Sequence, residues 1–139
     1  MVNIKSKKYD YTGKWGLEGI VYRPLIEVGI SSGSNNIAFL ALIDSGTDGT
    51  ILNLEIANVL GIDIHKCKET KVGGIGEMAG YISKVTVTVP DFNVSMDVPV
   101  TFIKNLPFDV LLGQRDFFSK FKITFEKYKN IFEMTRMGR

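Results

Sequence analysis

The sequence predicts a mainly β domain with two short helices, and three observations support that class. Long stretches alternate apolar and polar residues with the two-residue period of a strand. Clusters of Gly, Ser, Asn, Asp and Pro interrupt them where hairpins would turn. Only two segments carry apolar residues at helical spacing.

Residues 1–23 read as an N-terminal extension or edge strand ahead of a domain spanning 24–139. "RPLIEVGISSGSNNIAFLALID" is expected to form a hairpin that turns within Ser31 to Asn36. In "NLEIANVLG", Asn53 suits an N-cap, Leu54, Ile56, Ala57 and Leu60 make an apolar face, and Gly61 ends the helix. "YISKVTVTVP" places Ile82, Val85, Val87 and Val89 mostly on one face, opposite Lys84, Thr86 and Thr88. Pro90-Asp91-Phe92-Asn93 reads as a turn. Val94, Met96, Val98, Val100 and Phe102 then alternate with polar residues, and Pro99 among them predicts an edge strand or a bulge. "GQRDFFSKF" is expected to be the second short helix, burying Phe117, Phe118 and Phe121. "FKITFEKYKNIFEMTR" closes the chain as a hairpin turning near Lys127 to Asn130.

At 139 residues the chain suits one domain with a sizeable core. Hydrophobic content of 45% with 23% charged residues excludes a disordered chain. A net charge of +2 is a weak footprint for nucleic acid. The lysines near the start (Lys5, Lys7, Lys8, Lys14) and the end (Lys120, Lys122, Lys127, Lys129) are mixed with acids and aromatics, and read as solvated faces and a guarded sheet edge. One cysteine, Cys67, excludes an internal disulfide and suits a reducing compartment. The first residues, Met-Val-Asn-Ile-Lys-Ser-Lys-Lys, lack the apolar stretch of a secretory signal. The longest apolar run, Ile37 to Ile43, is far short of the roughly 20 residues of a membrane helix. The expectation is a soluble cytoplasmic protein with no nucleic-acid or membrane partner.

"FLALIDSGTDGTIL" sets Asp44 at the end of an apolar run, where a charge costs free energy unless it is solvated, paired or hydrogen-bonded. Asp-Ser-Gly alone can be an ordinary turn ending a strand. A calcium loop counted from Asp44 finds Asp48, Gly49, Ile51 and Glu55 in place, but Gly46 and Leu52 supply no side-chain oxygen and no helix precedes it. A phosphatase-like Asp-x-Asp-Gly-Thr fails because Gly46 stands at the nucleophile position. The remaining reading is a catalytic carboxylate, one of two that together activate a water and polarise a peptide carbonyl. Asp44-Ser45-Gly46-Thr47 resembles the Asp-Ser/Thr-Gly-Ser/Thr/Ala signature of aspartic proteases, and in a single short domain it is similar to the retroviral (retropepsin) type.

Two further stretches support the resemblance. Gly73-Gly74-Ile75-Gly76, between strand-like segments, resembles the glycine-tipped flap of retropepsins, whose glycines let the tip turn and move. Gly74-x-Gly76-x-x-Ala79 also fits a dinucleotide fingerprint, but "CKETKV" is too polar for the strand that motif needs and "GYISKVTVTVP" is no helix. Val110-Leu111-Leu112-Gly113 resembles the strand and turn behind the catalytic loop, and Pro107 to Val110 falls where the family has a substrate-pocket loop. The resemblance runs from about residue 24 to 126. Gln114 stands where the family often has Arg, with Arg115 one place later.

The resemblance implies a closed β-barrel-type acid-protease domain with one or two short helices. It also implies an aspartic endopeptidase needing no metal or cofactor. Only one such signature is present, so the second carboxylate must come from a second copy across a two-fold axis. By resemblance Asp44 is the catalytic residue, and Ser45, Gly46 and Thr47 form the active-site loop. Ser45 would bond across the dimer, Gly46 would offer its carbonyl to substrate, and Thr47 would donate to the outer carboxylate oxygen. Asp48, Gly74, Ile75, Gly76, Phe108 and Val110 would bind a peptide with apolar residues around the cut, core packing being the other reading of Phe108 and Val110. The alternatives are a retropepsin-like dimerisation or peptide-binding module that does not cut, and the calcium loop. Asp63, His65 and Cys67 alternate in "DIHKC", but one His and one Cys make a full metal set improbable, and a surface loop is expected.

Overall fold

The computed structural model describes residues 5–72 and 78–138. The chain enters through β1 (Ser6–Asp10), then makes a hairpin of β2 (Thr12–Gly16) and β3 (Gly19–Arg23). Pro24 leads into β4 (Leu25–Ser32) and β5 (Asn35–Ile43), and β6 (Thr50–Asn53) runs directly into α1 (Leu54–Val59). There follow β7 (Lys68–Val72), β8 (Met78–Val89), β9 (Val94–Ile103), β10 (Val110–Leu112), β11 (Phe121–Glu126) and β12 (Ile131–Arg136).

Six strands close a mixed barrel in the order β4-β5-β10-β6-β9-β8, with β8 pairing back onto β4. The second edge of β8 is shared. Its Met78–Ile82 half pairs with β7, and Thr86 to Thr88 pair with β4. Closure removes the open edges that would otherwise invite pairing with other chains. Alternation then fills the interior, with Val28, Ile30, Val85, Val87, Val89, Val98, Val100 and Phe102 all buried. Ile82 departs from its expected face. Its even position puts it opposite Val85, Val87 and Val89, and it is 37% exposed.

The turns follow their residues. Gly33 takes a positive φ of 57° in a two-residue β4–β5 connection, tighter than the stretch Ser31 to Asn36 suggested. The β8–β9 and β11–β12 hairpins turn alike, each through a 3₁₀ turn that ends on an Asn at φ 52° (Asn93 and Asn130). Asn53 caps α1 by accepting from the Glu55 amide, and Gly61 at φ 73° ends it. The carbonyl of Leu60 is met by Asn35 Nδ2 at 3.0 Å.

Two expectations need correction. Residues 114–120 form successive turns rather than a second helix. The carbonyls of Gln114 and Arg115, which a helix would use as acceptors, are taken by the Ser119 hydroxyl. Phe118 N instead reaches back to Gly113 O and Lys120 N to Phe117 O, so no regular ladder propagates. Pro99 lies in a strand that is interior further on, since β9 sits between β6 and β8. Its own position pairs with Lys84 alone, because β9 meets β6 only from Val100 onward, so the missing N–H removes nothing from the β6 pairing.

The strands β1, β12 and β11 form a separate three-stranded sheet. Aromatic rings join it to the barrel, with Phe92–Phe121 and Phe117–Phe121 centroids 5.1 and 5.0 Å apart. A polar clamp adds to them. Tyr9 Oη and Lys7 Nζ both donate to Asp91 Oδ2, at 2.8 and 3.1 Å. Burial, reinforced by the Asp91 hydrogen bond and charge, pushes the Tyr9 phenol well above its ordinary value. Burial alone would raise Asp91, but the bonds from Tyr9 and Lys7 and the Lys7 charge outweigh it and hold Asp91 below the usual carboxylate range. The contribution of a lowered carboxylate is present above its unfolded value and lost as pH falls through its folded one. Asp91→Asn is therefore expected to cost about 1 kcal/mol at pH 7, discounted for partial exposure, and much less at a pH low enough to protonate Asp91 in the folded state. Urea midpoints of wild type and variant at the two pH values check this.

Candidate active site

Asp44 occupies the point where two neighbouring strands are pulled apart. The chain leaves β5 at Ile43 and returns in β6 at Thr50, yet these strands do not pair with each other. Instead β10 lies between them, parallel to β5 (Val110↔Ala41, Leu112↔Ile43) and antiparallel to β6 (Val110↔Leu52). The loop 44–49 must therefore arch over the end of β10. Its first residue is pinned there, with Asp44 N donating to Leu112 O at 2.9 Å and Ile43 N to Pro24 O at 3.0 Å.

The residues after β10 hold the arch from below. Gln114 N donates to Thr47 O at 2.8 Å, Arg115 N to Asp48 O at 2.6 Å, and Gln114 Nε2 to Ser45 O at 2.7 Å. Gly113 lies so close that an added Cβ would run into the carbonyl oxygens of Gly49 and Thr47. Only glycine allows that approach.

Within the arch both carboxylate oxygens of Asp44 are occupied. Gly46 N donates to Oδ1 and the Thr47 hydroxyl to Oδ2, each at 2.9 Å. These two donors fix the orientation of the carboxylate at a half-buried position. Ser45, Gly46 and Asp48 are exposed, so the arch presents itself to solvent. Beside it a cleft of about 450 Å³ is bounded by Gly46, Thr47, Asp48, Val72, Thr101 and Arg115. A second cleft, about 650 Å³, continues past Val72, Thr101 and Arg115 to Ile82 and Pro99. The Arg115 side chain lies against Gly49, where an added Cβ would be 2.5 Å from Nη2. Among the described residues it makes no ion pair with Asp48, its nearest carboxylate being Asp116 with Nε and Oδ2 3.8 Å apart.

The other candidates are distributed around this centre. Gly74, Ile75 and Gly76 lie outside the described residues, while the strands that bracket them pair up to Val72↔Met78. Phe108 is half-buried beneath the Arg23 guanidinium, 5.2 Å from the ring centroid. Its loop is fastened by Asn53, whose N donates to Asp109 O at 2.9 Å and whose Nδ2 donates to Leu106 O at 3.1 Å. Val110 has no exposed surface and packs in the barrel core between β5 and β6, as the core-packing alternative holds.

Asp63, His65 and Cys67 lie on the 3₁₀ turn after α1, where Asp63 Oδ1 accepts the His65 amide. Among the described residues no three His, Cys, Asp or Glu side chains converge as a metal would need. The segment before Asp44 is the strand β5, where a calcium loop of the EF-hand type requires a helix. Sequence reasoning missed the tie from Gln114 to Ser45, having noted Gln114 only as a departure. It also missed the second function of Asn53, and no local pattern signals either.

The retroviral aspartyl protease family profile matches residues 21–126. No curated protein matches the chain significantly. Among solved structures, a retropepsin-like aspartic protease from Rickettsia conorii shares the fold, with a TM-score of 0.60 and 18% identity over 98% of this chain and 97% of that one. The EIAV protease complexed with the inhibitor HBY-793 aligns at 25% identity over 72% of this chain and 86% of that one, TM-score 0.48. The retroviral protease-like domain of Ddi1 from Leishmania major aligns at 15% identity over 82% and 94%, TM-score 0.49.

Because the arch is moulded on Gly113, Gly113→Ala is expected to destabilise the fold by about 1–3 kcal/mol through overpacking against backbone that cannot retreat. Denaturant unfolding of the variant checks this. An unchanged midpoint would show that the arch is not held as described.

Proposed function

The chain belongs to the retroviral aspartyl protease family, and on that premise we propose that it is an aspartic endopeptidase active as a homodimer. One observation carries the reading. The Asp44 carboxylate is gripped on both oxygens at the exposed end of the barrel, in a chain that supplies one such loop.

The two Asp44 side chains meet across a two-fold axis. Like charges so close cannot both ionise cheaply, so one proton is shared and titrates as a property of the pair, the behaviour for which aspartic proteases are the general example. The ionised member takes a proton from a water as its oxygen adds to the peptide carbonyl carbon. The protonated member gives its proton to the carbonyl oxygen. Collapse of the resulting diol returns a proton to the leaving nitrogen and breaks the C–N bond. Asp44 of each chain thus acts as base and acid in turn.

Ser45 bonds across the dimer, Gly46 offers its carbonyl to the substrate backbone, and Asp48 binds substrate main chain beside the cleft it borders. Gly74, Ile75 and Gly76, which lie outside the described residues, are assigned to substrate binding on the family resemblance. Phe108 forms the pocket wall backed by Val110, favouring apolar side chains around the cut.

The protein is expected to cleave an unfolded protein at mildly acidic pH, to resist chelators and to be blocked by a pepstatin-type inhibitor. Asp44→Asn should lose about 10³-fold or more in kcat while keeping its circular dichroism spectrum. Cleavage that survives this substitution would overturn the reading, and inactivity of a folded wild type would leave the non-cutting binding module in its place. Thr47→Ala removes the hydroxyl that fixes the outer carboxylate oxygen in place, so kcat/KM should fall. A kcat/KM profile of both proteins checks the direction.

A further inference from the structure

We propose that the β2–β3 hairpin is an arm that seats on a second copy of this chain beside the Asp44 loop, with Trp15, Leu17, Ile20 and Tyr22 as its contact face. The proposal rests on the homodimer reading above.

The hairpin is amphipathic, and its apolar side is uncovered. The pairings Gly13↔Tyr22 and Trp15↔Ile20 put Trp15, Ile20 and Tyr22 on one face around Gly13, while Thr12↔Arg23 and Lys14↔Val21 make the other. Ile20 and Tyr22 lie over Gly13, where an added Cβ would be 2.9 Å from each. Trp15 is 83% exposed, Ile20 49% and Tyr22 44%, and Leu17 projects fully from the turn. The two strands form their own sheet and pair with no other strand among the described residues. Such a hairpin is marginal in water without a surface to lie on.

Three features name a second copy as that surface. The root of the hairpin adjoins the site, since Arg23 lies on Phe108 and Pro24 O accepts the amide of Ile43, the residue before Asp44. A second chain that brings its Asp44 to that point passes the root of the arm. Area agrees with this. The four side chains leave on the order of 600 Å² open, at about 150–250 Å² for a large side chain. In a two-fold pair both arms bury surface on themselves and on their partner, so covering half of each face removes about 1,200 Å², enough for a specific interface. Trp15, Leu17 and Ile20 lie before residue 21, where the family match begins, and Tyr22 lies just inside it.

Trp15 is the only tryptophan, so its emission reports the arm alone. In a dilution series followed by sedimentation equilibrium, emission is expected to shift to the blue as dimer forms, in wild type and in Asp44→Asn alike. Trp15→Ser with Leu17→Ser should raise the dimer dissociation constant at least tenfold and leave the monomer's circular dichroism and melting temperature unchanged. Peptidase activity per chain should then fall at low concentration and return at high concentration. A dimer whose Trp15 emission does not move overturns the arm and leaves the shared site standing. A shift that appears only on adding an apolar peptide, or only on adding lipid vesicles, assigns the face to substrate or membrane and overturns the proposal. A chain that cleaves peptides while monomeric at every concentration overturns the shared site and the arm together.

Discussion

The close approach of Gly113 to the carbonyls of Thr47 and Gly49 is the constraint from which the site follows. It exists because a three-residue strand, β10, is inserted between β5 and β6 and forces the chain between them to arch. The arch is then fastened mainly by backbone, with the Gln114 side chain adding a bond to Ser45 O. Its carbonyls accept from Gln114 and Arg115, and its amide and hydroxyl donate to Asp44. A carboxylate held on both oxygens has already lost most of its rotational freedom before it meets any partner. The Gln114 side chain donates to the Ser45 carbonyl, a bond an amide makes without bringing a charge.

Much of this was legible in the sequence, for identifiable reasons. Alternation over Val85 to Phe102 predicted strands because each residue's neighbours on its own face are two positions away, so local pattern and final burial coincide. Pro90 to Asn93 and Lys127 to Asn130 predicted turns because backbone preference decides them within four residues. The Asp44 loop was legible because a short motif carries both carboxylate and donors. What escaped was tertiary in origin. Residues 114–120 have helical spacing, but their carbonyls go to Ser119 and their first amides to the arch, a competition no local pattern encodes. Val110 sits in a stretch that the family resemblance assigns to a pocket, and it is the barrel that turns it inward. Ile82 was placed by composition where parity puts it on the other face.

The fold divides its stability and its chemistry between different regions. Phe92, Phe117, Phe121 and Phe132 are almost completely buried where the three-stranded sheet meets the barrel, each contributing about 2–3 kcal/mol of apolar burial. That cluster and the Tyr9–Asp91–Lys7 clamp lie among residues that take no part in the arch. The exposed residues Ser45, Gly46 and Asp48 contribute little to the core and are free to meet other molecules. Asn53 links the two regions, since one side chain caps the helix and fastens the loop that carries Phe108.

The placement of β10 also dictates an order of events during synthesis. Asp44 precedes its seat at Leu112 and Gly113 by more than sixty residues, a separation whose closure entropy is met late. A nascent chain emerging from the ribosome can form the β4–β5 hairpin early, but it has nothing to bend the aspartate loop around until Val110 to Arg115 have been translated. Formation of the arch is thereby postponed until almost all of the barrel has been made, and a truncated product that stops before Val110 lacks the strand the loop bends around.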